Sequence, residues 1–214
     1  MTQNRLLCAS ANPHKVREIE FLLKGAVTLV PRPAGLPEVV EDADTLIGNA
    51  RLKARAVMAS RENGQNLAAV ADDTGLYVEA LPGALGVRTA RYAVDDPLHA
   101  TDPDRANRRK LLRSLADAGC LETVNRRAHF VTVALVCFPD GAELVAEGRC
   151  DGHIAVSERG STGFGFDPLF VPDGVDGSPG SATFAELGDE AKNASSHRAR
   201  AFRALAELLT ERAR

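Results

Sequence analysis

The sequence lacks an excess of basic residues. Its 214 residues carry 26 Lys and Arg against 29 Asp and Glu, for a formal net charge of −3. The basic footprint of a nucleic-acid partner is therefore missing, although a local cationic pocket remains open. Metal-spaced or paired cysteines are also lacking. Cys8, Cys120, Cys137 and Cys150 stand apart, which argues against a zinc site or disulfide framework and suits thiols kept reduced in the cytoplasm. No segment approaches the roughly 20 apolar residues that span a bilayer. The chain reaches "SANP" after a very short apolar run, so neither a membrane span nor a secretory leader is expected. Internal repeats, low-complexity tracts and the Gly-x4-Gly-Lys-Ser/Thr phosphate loop are absent too.

What is present is an ordinary globular composition, 44% apolar and 26% charged. The length fits one domain, or two lobes sharing one sheet. Residues 5–9 read as a buried strand. A helix follows from Pro13 to Leu23, with Val16, Ile19, Leu22 and Leu23 on one face. After the acidic loop "PRPAGLPEVVEDAD", a second helix runs from about Thr45 to Ser60, with Leu46, Ile47, Ala50, Val57 and Met58 inward. "NLAAVA" (66–71) reads as a strand leading into "DDTG", and "LYVEAL" (76–81) as another. Asp102 caps a third helix, with Pro103 in its first turn and Gly119 as its stop. "AHFVTVALVCF", "PDG" and "AELVAEGRCDGHIAVSE" make a long hairpin. Residues 159–182 form a long Gly-rich loop, a type that is often functional. A helix over about 189–212 closes the chain. These elements predict an α/β fold with a mixed sheet.

Several stretches can carry chemistry. In "SANPHK", Asn12 suits a helix N-cap and Pro13 the first helical position. That puts Lys15 in the first turn, where the helix dipole disfavours a cation. A phosphate held by Ser10, Asn12, Lys15 and backbone N–H groups would supply the missing negative charge; a lysine in solvent is the plain alternative. "AAVADDTG" delivers Asp72 and Asp73, whose oxygens suit Mg²⁺, with Glu38, Glu41 and Asp42 as further acids. An Asx turn at a strand exit fits the same letters. In "STGFGFDPLFVPDG", Phe164 and Phe166 can stack on a flat base while Gly163 and Gly165 let the backbone come close; the same rings can instead plug a core. His197 lies on a face with Ala194, Ala201 and Leu205, as a core histidine would. Arg198 beside it and Lys192 one turn earlier suit an acceptor-rich ligand. Lys53, Arg88 and Arg91 can reach phosphate or simply solvent.

In their order along the chain these stretches resemble the inosine triphosphate pyrophosphatase family. "SANPHK" is similar to its T/S-x-N-x-x-K loop, and "GNARLKA" to its E-N-A-x-x-K-A helix. "ADDTGLYVEALPGALGVRTARYA" resembles A-D-D-S-G-L-x-V-D-A-L-x-G-x-P-G-V-x-S-A-R-Y-A. "TGFGFDPLFVPDG" resembles G-G-F-G-Y-D-P-x-F-x-P-x-G, and "TFAELGDEAKNASSHRARA" resembles T-x-A-E-L-x-x-x-E-K-N-x-x-S-H-R-x-R-A. The resemblance covers about residues 5–209.

It implies one domain over residues 1–214, built as a strongly twisted mixed sheet with flanking helices and two lobes around a central cleft, in a homodimer. It also implies Mg²⁺-dependent conversion of dITP, ITP or XTP to the monophosphate and pyrophosphate. Ser10, Ala11, Asn12, Pro13, His14 and Lys15 would hold the triphosphate, with Lys53 and Arg91 adding contacts. Asp73 would be general base and Mg²⁺ ligand, and Thr74 would touch substrate. Phe164, Gly165, Phe166, Asp167, Lys192, His197 and Arg198 would take the base and sugar. The sequence departs from the pattern at Val40, Gly48, Thr74, Leu85, Thr162 and Phe166. Gly48 and Val40 replace acids and leave Glu38 and Glu41 as candidates for the second metal ligand. Two rivals come from other classes. One is an aspartyl-phosphate phosphatase with Asp72 as nucleophile, which would need a late acidic pair that the chain lacks. The other is a nucleotide-binding module without turnover.

Overall fold

The computed structural model describes residues 4–60, 66–174, 177 and 180–213. Strand β1 (Asn4–Cys8) is parallel to both β2 (Val27–Val30) and β3 (Ala68–Val78). Leu6, Leu7 and Cys8 are all buried, the unbroken apolar run that a parallel strand covered on both faces requires. Strands β4 (Arg127–Cys137) and β5 (Glu143–Ile154) are joined by a turn in which Phe138 N–H donates to Ala142 O at 2.9 Å. Strand β6 (Phe170–Pro172) lies antiparallel to β5. Among the described residues the sheet order is β2-β1-β3-β4-β5-β6, the mixed α/β sheet expected.

The chain divides into two compact units. The first comprises Met1–Asp73, Thr132–Gly148 and His197–Arg214; the second comprises Thr74–Val131 and Arg149–Ser196. In the first, Leu6, Val70 and Ala134 pack with Ile19 of helix α1 (Pro13–Leu22) and with Phe202 and Leu205 of helix α5 (His197–Arg212). Ala50, Ala54 and Val57 of helix α2 (Leu46–Met58) pack with Leu7, Ala69 and Leu135. In the second, Leu111 and Leu115 of helix α3 (Pro103–Asp117) meet Leu76, Phe130 and Phe170, together with Phe184 of helix α4 (Phe184–Ser195). Among the described residues no helix is long and apolar enough to cross a membrane.

Local signals place the helix starts. Asn12 accepts from His14 N–H and Lys15 N–H, and Asp102 accepts from Arg105 N–H. Gly119, at φ 74°, stops α3. Four expectations are corrected. The stretch 66–81 holds one continuous strand and not two around a "DDTG" turn. Gly75 serves a close approach: a Cβ there would lie 2.9 Å from Gly86 O. The closing helix is interrupted twice: α4 begins earlier, at the Thr183–Glu186 capping box, and is kinked at non-helical Gly188 (φ 78°, ψ 174°), just before the expected start, and extended Ser196 (φ −67°, ψ 163°) separates it from α5. On α2 the buried set includes Asn49 and Lys53, while Ile47 and Met58 are only half-buried. Finally, the loop expected over 159–182 carries β6, and the α4 N-cap, Thr183, follows it directly.

Candidate active site

In the first unit, β1 ends at a polar step into α1. Ser10 is buried, and its Oγ accepts from Asn12 N–H at 3.3 Å. Ala11, Pro13 and His14 are exposed, and Arg17 donates to His14 Nδ1 at 2.8 Å. Lys15 extends to Asp72, with Nζ 3.1 Å from Oδ2. The anion expected to offset a cation in this first turn is thus present within the chain. Burial is the largest influence on Lys15 and lowers its pKa; Asp72 opposes the shift, while Lys53 and Arg198 add to it.

Asp72 and Asp73 lie side by side in β3, and their side chains find different partners. Asp72 is 2% exposed. Its Oδ2 accepts from Arg198 Nη2 at 3.0 Å and from Nε at 3.3 Å, while Arg198 Nη1 donates to Glu18 at 2.6 Å. Burial alone would raise the Asp72 pKa. Lys15, Arg198 and Lys53 outweigh it and hold the carboxyl far below the usual carboxylate range. Arg198 is pressed the same way: burial disfavours its charge, and Asp72 and Glu18 more than restore it.

Asp73 faces α2. Lys53 Nζ donates to its Oδ1 at 2.9 Å and Asn49 Nδ2 to its Oδ2 at 3.2 Å. Asn49 and Lys53 are four residues apart, so one helix face presents both. Asn49 Oδ1 also accepts from Ala43 N–H at 3.0 Å, which fixes the amide. Glu41 lies 3.3 Å from Lys53 Nζ. Burial acts against the Lys53 ammonium, but Asp73, Asp72 and Glu41 together raise its pKa. Glu38 and Val40 are exposed. At Gly48 a Cβ would come within 2.6 Å of Ala43 Cβ, so a side chain there, such as the acid the resemblance led one to expect, requires Ala43 to shift. Among the described residues no group of three or more His, Cys, Asp or Glu gathers as a metal cluster. His197 is buried at the start of α5, and its carbonyl lies where Gly148 presents no Cβ. Burial pushes the Cys8 and Cys137 thiols up to about 11, which leaves them unsuited to nucleophilic work.

In the second unit, Asp167 Oδ2 accepts from Phe164 N–H at 2.9 Å and from Lys192 Nζ at 2.7 Å. The Lys192 ammonium also lies 4.4 Å from the centroid of the half-buried Phe164 ring. Gly163, at φ 78°, leaves room for the Asp167 carboxylate that any Cβ would strike. Phe166 differs from the expectation of a second stacking ring: it packs in the core with Leu169 and Phe170. Gly165 follows Phe164 in the left-handed region. Thr74 is half-buried on β3, and Arg91 is exposed at the end of a 3-10 turn, Thr89–Arg91.

The first unit therefore gathers Lys15, Lys53, Arg198 and Glu41 around the adjacent Asp72 and Asp73. The second gathers Phe164, Asp167 and Lys192. The Ham1 family pattern matches residues 6–208. This chain belongs to the Ham1 family. Ham1 relatives include a dITP/XTP pyrophosphatase of Opitutus terrae, 44% identical over 95% of this chain and 97% of its own. Another, from Zymomonas mobilis, is 43% identical over 94% and 90%. Among solved structures, a HAM1 protein from Coxiella burnetii superposes with a TM-score of 0.79 at 33% identity, covering 98% of this chain and 100% of that one. Sequence reasoning missed Asn49 and Glu18 as partners of the site. Asn49 was legible as the residue four before Lys53, and Glu18 as the residue three after Lys15.

Proposed function

We propose that this chain is a Mg²⁺-dependent nucleoside-triphosphate pyrophosphohydrolase that converts dITP, ITP or XTP to the monophosphate and pyrophosphate and so clears deaminated purines. The observation that carries the reading is Asp73 held by Lys53 and Asn49 with Glu41 beside the same ammonium. A carboxylate fixed in this way can orient a water for attack on the α-phosphorus and take its proton. Lys15 and Lys53 then lie ready to offset charge on the departing pyrophosphate. Two carboxylates on one lysine also fit a hard dication that completes its shell with water and phosphate oxygens. Asp73 and Glu41 are the residues that would hold it, with exposed Glu38 set aside. When bound, Mg²⁺ supplies charge stabilisation to the phosphates.

In this reading Ser10 to Lys15 receive the triphosphate, and Arg91 and Thr74 add contacts. Phe164, Asp167 and Lys192 serve the base and sugar, as do His197 and Arg198. A site that donates to a 6-oxo group faces an amino group when ATP binds, and such mismatches can cost about 10⁴-fold in specificity. The reading includes a homodimer, and a cytoplasmic setting in which all four cysteines remain thiols. The phosphoenzyme alternative loses support because Asp72 is occupied by Arg198 and Lys15. A panel of nucleoside triphosphates with Mg²⁺, read for pyrophosphate against orthophosphate, tests the proposal. The 6-oxo purines dITP, ITP and XTP should lead the panel, with ITP giving IMP and pyrophosphate; IDP and orthophosphate as first products would end it.

A further inference from the structure

Helix α3 carries none of the residues assigned to substrate, yet it grips the segment that carries several. Asp104, in its first turn, accepts from Gly165 N–H through Oδ2 at 2.7 Å. Arg108, one turn on, donates from Nη1 to Gly165 O at 2.9 Å. Both backbone polar atoms of one residue are thus held by one helix face. The Arg108 side chain is mostly buried, and its Nε lies 3.1 Å from Glu158.

Gly165 needs such a grip. It sits at φ 60° and Gly163 at φ 78°, and glycine loses the most conformational freedom on ordering. Among the described residues other than its own chain neighbours, nothing lies within 4 Å of where a Gly165 side chain would begin, so side-chain packing there does not fix that residue. The same helix holds a second segment assigned to substrate. Buried Asn107 accepts from Ala93 N–H at 2.7 Å and donates to Ala90 O at 2.9 Å, and Lys110 Nζ donates to Tyr92 O at 2.7 Å. Arg91 lies between these anchors.

We infer that Asp104 and Arg108 are positioning residues for purine selection, because their clamp on Gly165 holds Phe164 and Asp167 in the arrangement that favours a 6-oxo base. The inference rests on the base-recognition reading above. Asp104 acts on the amide and Arg108 on the carbonyl, so removing either loosens the same residue. Neither is assigned to substrate in that reading, which gives the reacting phosphates to other residues. The effect should therefore fall on KM and on selectivity, with kcat held.

The test compares Asp104→Leu, Arg108→Leu and the conservative Asp104→Asn with the unaltered protein. Four quantities are measured: kcat and KM for ITP and for ATP, the thermal midpoint, and hydrogen exchange at the Gly165 amide without substrate. Asp104→Leu and Arg108→Leu should each raise KM for ITP and shrink the ITP:ATP ratio of kcat/KM by about tenfold, the scale of one hydrogen bond to a charged group. Gly165 exchange should quicken in Asp104→Leu. Asp104→Asn keeps an acceptor oxygen and should restore most of the ratio. Faster exchange with an unchanged ratio would overturn the clamp, as would a fall in kcat at constant KM. Asp104→Leu also removes an acid from the first turn of α3, where it favours the helix; Arg108→Leu does not. A ratio change confined to the variant with the lower midpoint would therefore also overturn the clamp. An unaltered protein with no preference for ITP would overturn the base reading and this inference together, whereas an ITP preference untouched in both leucine variants overturns the clamp alone.

Discussion

Replacing Asp72 by Asn keeps the side chain's shape and removes its charge from among Lys15, Arg198 and Lys53. Asp72 and Arg198 are both 2% exposed, so neither charge has water to fall back on. Removing one partner of a buried pair costs about 3–5 kcal/mol. Asn retains an acceptor oxygen and Glu18 still accepts from Arg198, so the lower end applies, about 3 kcal/mol. For a chain of this length each kcal/mol moves the melting temperature by about 2–4 °C, so Asp72→Asn should melt about 6–12 °C below the parent at neutral pH. The folded-state pKa of Asp72 is depressed. Its contribution is therefore complete above the unfolded pKa, about 4 for a carboxyl, and is lost as pH falls through the lower folded value. The gap between the two melting curves, followed by circular dichroism, should hold from pH 7 to about 4 and narrow below that. Equal melting temperatures at pH 7, or a gap that widens on acidification, would refute the electrostatic role given to Asp72.

Asp73→Asn should lower turnover by at least about 10²-fold, the scale of a lost general base, with less loss of melting temperature than Asp72→Asn. Steady-state kinetics and a melting curve on the same sample check this, and greater catalytic intolerance at Asp72 would favour a phosphoenzyme. Lys15→Met removes one of the cations that hold the buried Asp72 carboxylate, so the substrate-free protein should lose stability, though less than Asp72→Asn because Arg198 still meets that carboxylate. Affinity should then fall more for the triphosphate than for the monophosphate, as titration calorimetry would read; equal losses would place Lys15 away from the outer phosphates. Gly148→Ala would drive a Cβ into His197 O and Ala201 N. It should cost about 3 kcal/mol, and an unchanged melting temperature would show that the start of α5 yields freely.

The parts that sequence made legible are those decided locally. Asn12 with Pro13, and Asp102 with Pro103, fix helix starts within a few residues, and the unbroken apolar run of β1 marks a buried strand. The parts that escaped depend on residues far along the chain. Gly75 looks like a turn until Gly86 is seen against it. As letters Arg198 reads as a ligand donor alone, and the sequence does not show that Asp72, 126 residues away, also lies on its guanidinium. Lys15 reads as a phosphate ligand alone because its partner Asp72 is likewise remote. Phe166 and Phe164 are indistinguishable as letters; only packing sends one ring to the core and leaves the other beneath Lys192. Glu41 and Glu38 are separated in the same way, by proximity to Lys53.

The central claim is that Asp73 directs water at the α-phosphorus of a purine nucleoside triphosphate. Turnover of ITP with Mg²⁺ in heavy-oxygen water, followed by mass spectrometry of the products, tests it most directly. Attack at the α-phosphorus should leave one heavy oxygen in IMP and none in pyrophosphate. Heavy oxygen in pyrophosphate or in orthophosphate would place the attack on a different phosphorus and contradict it.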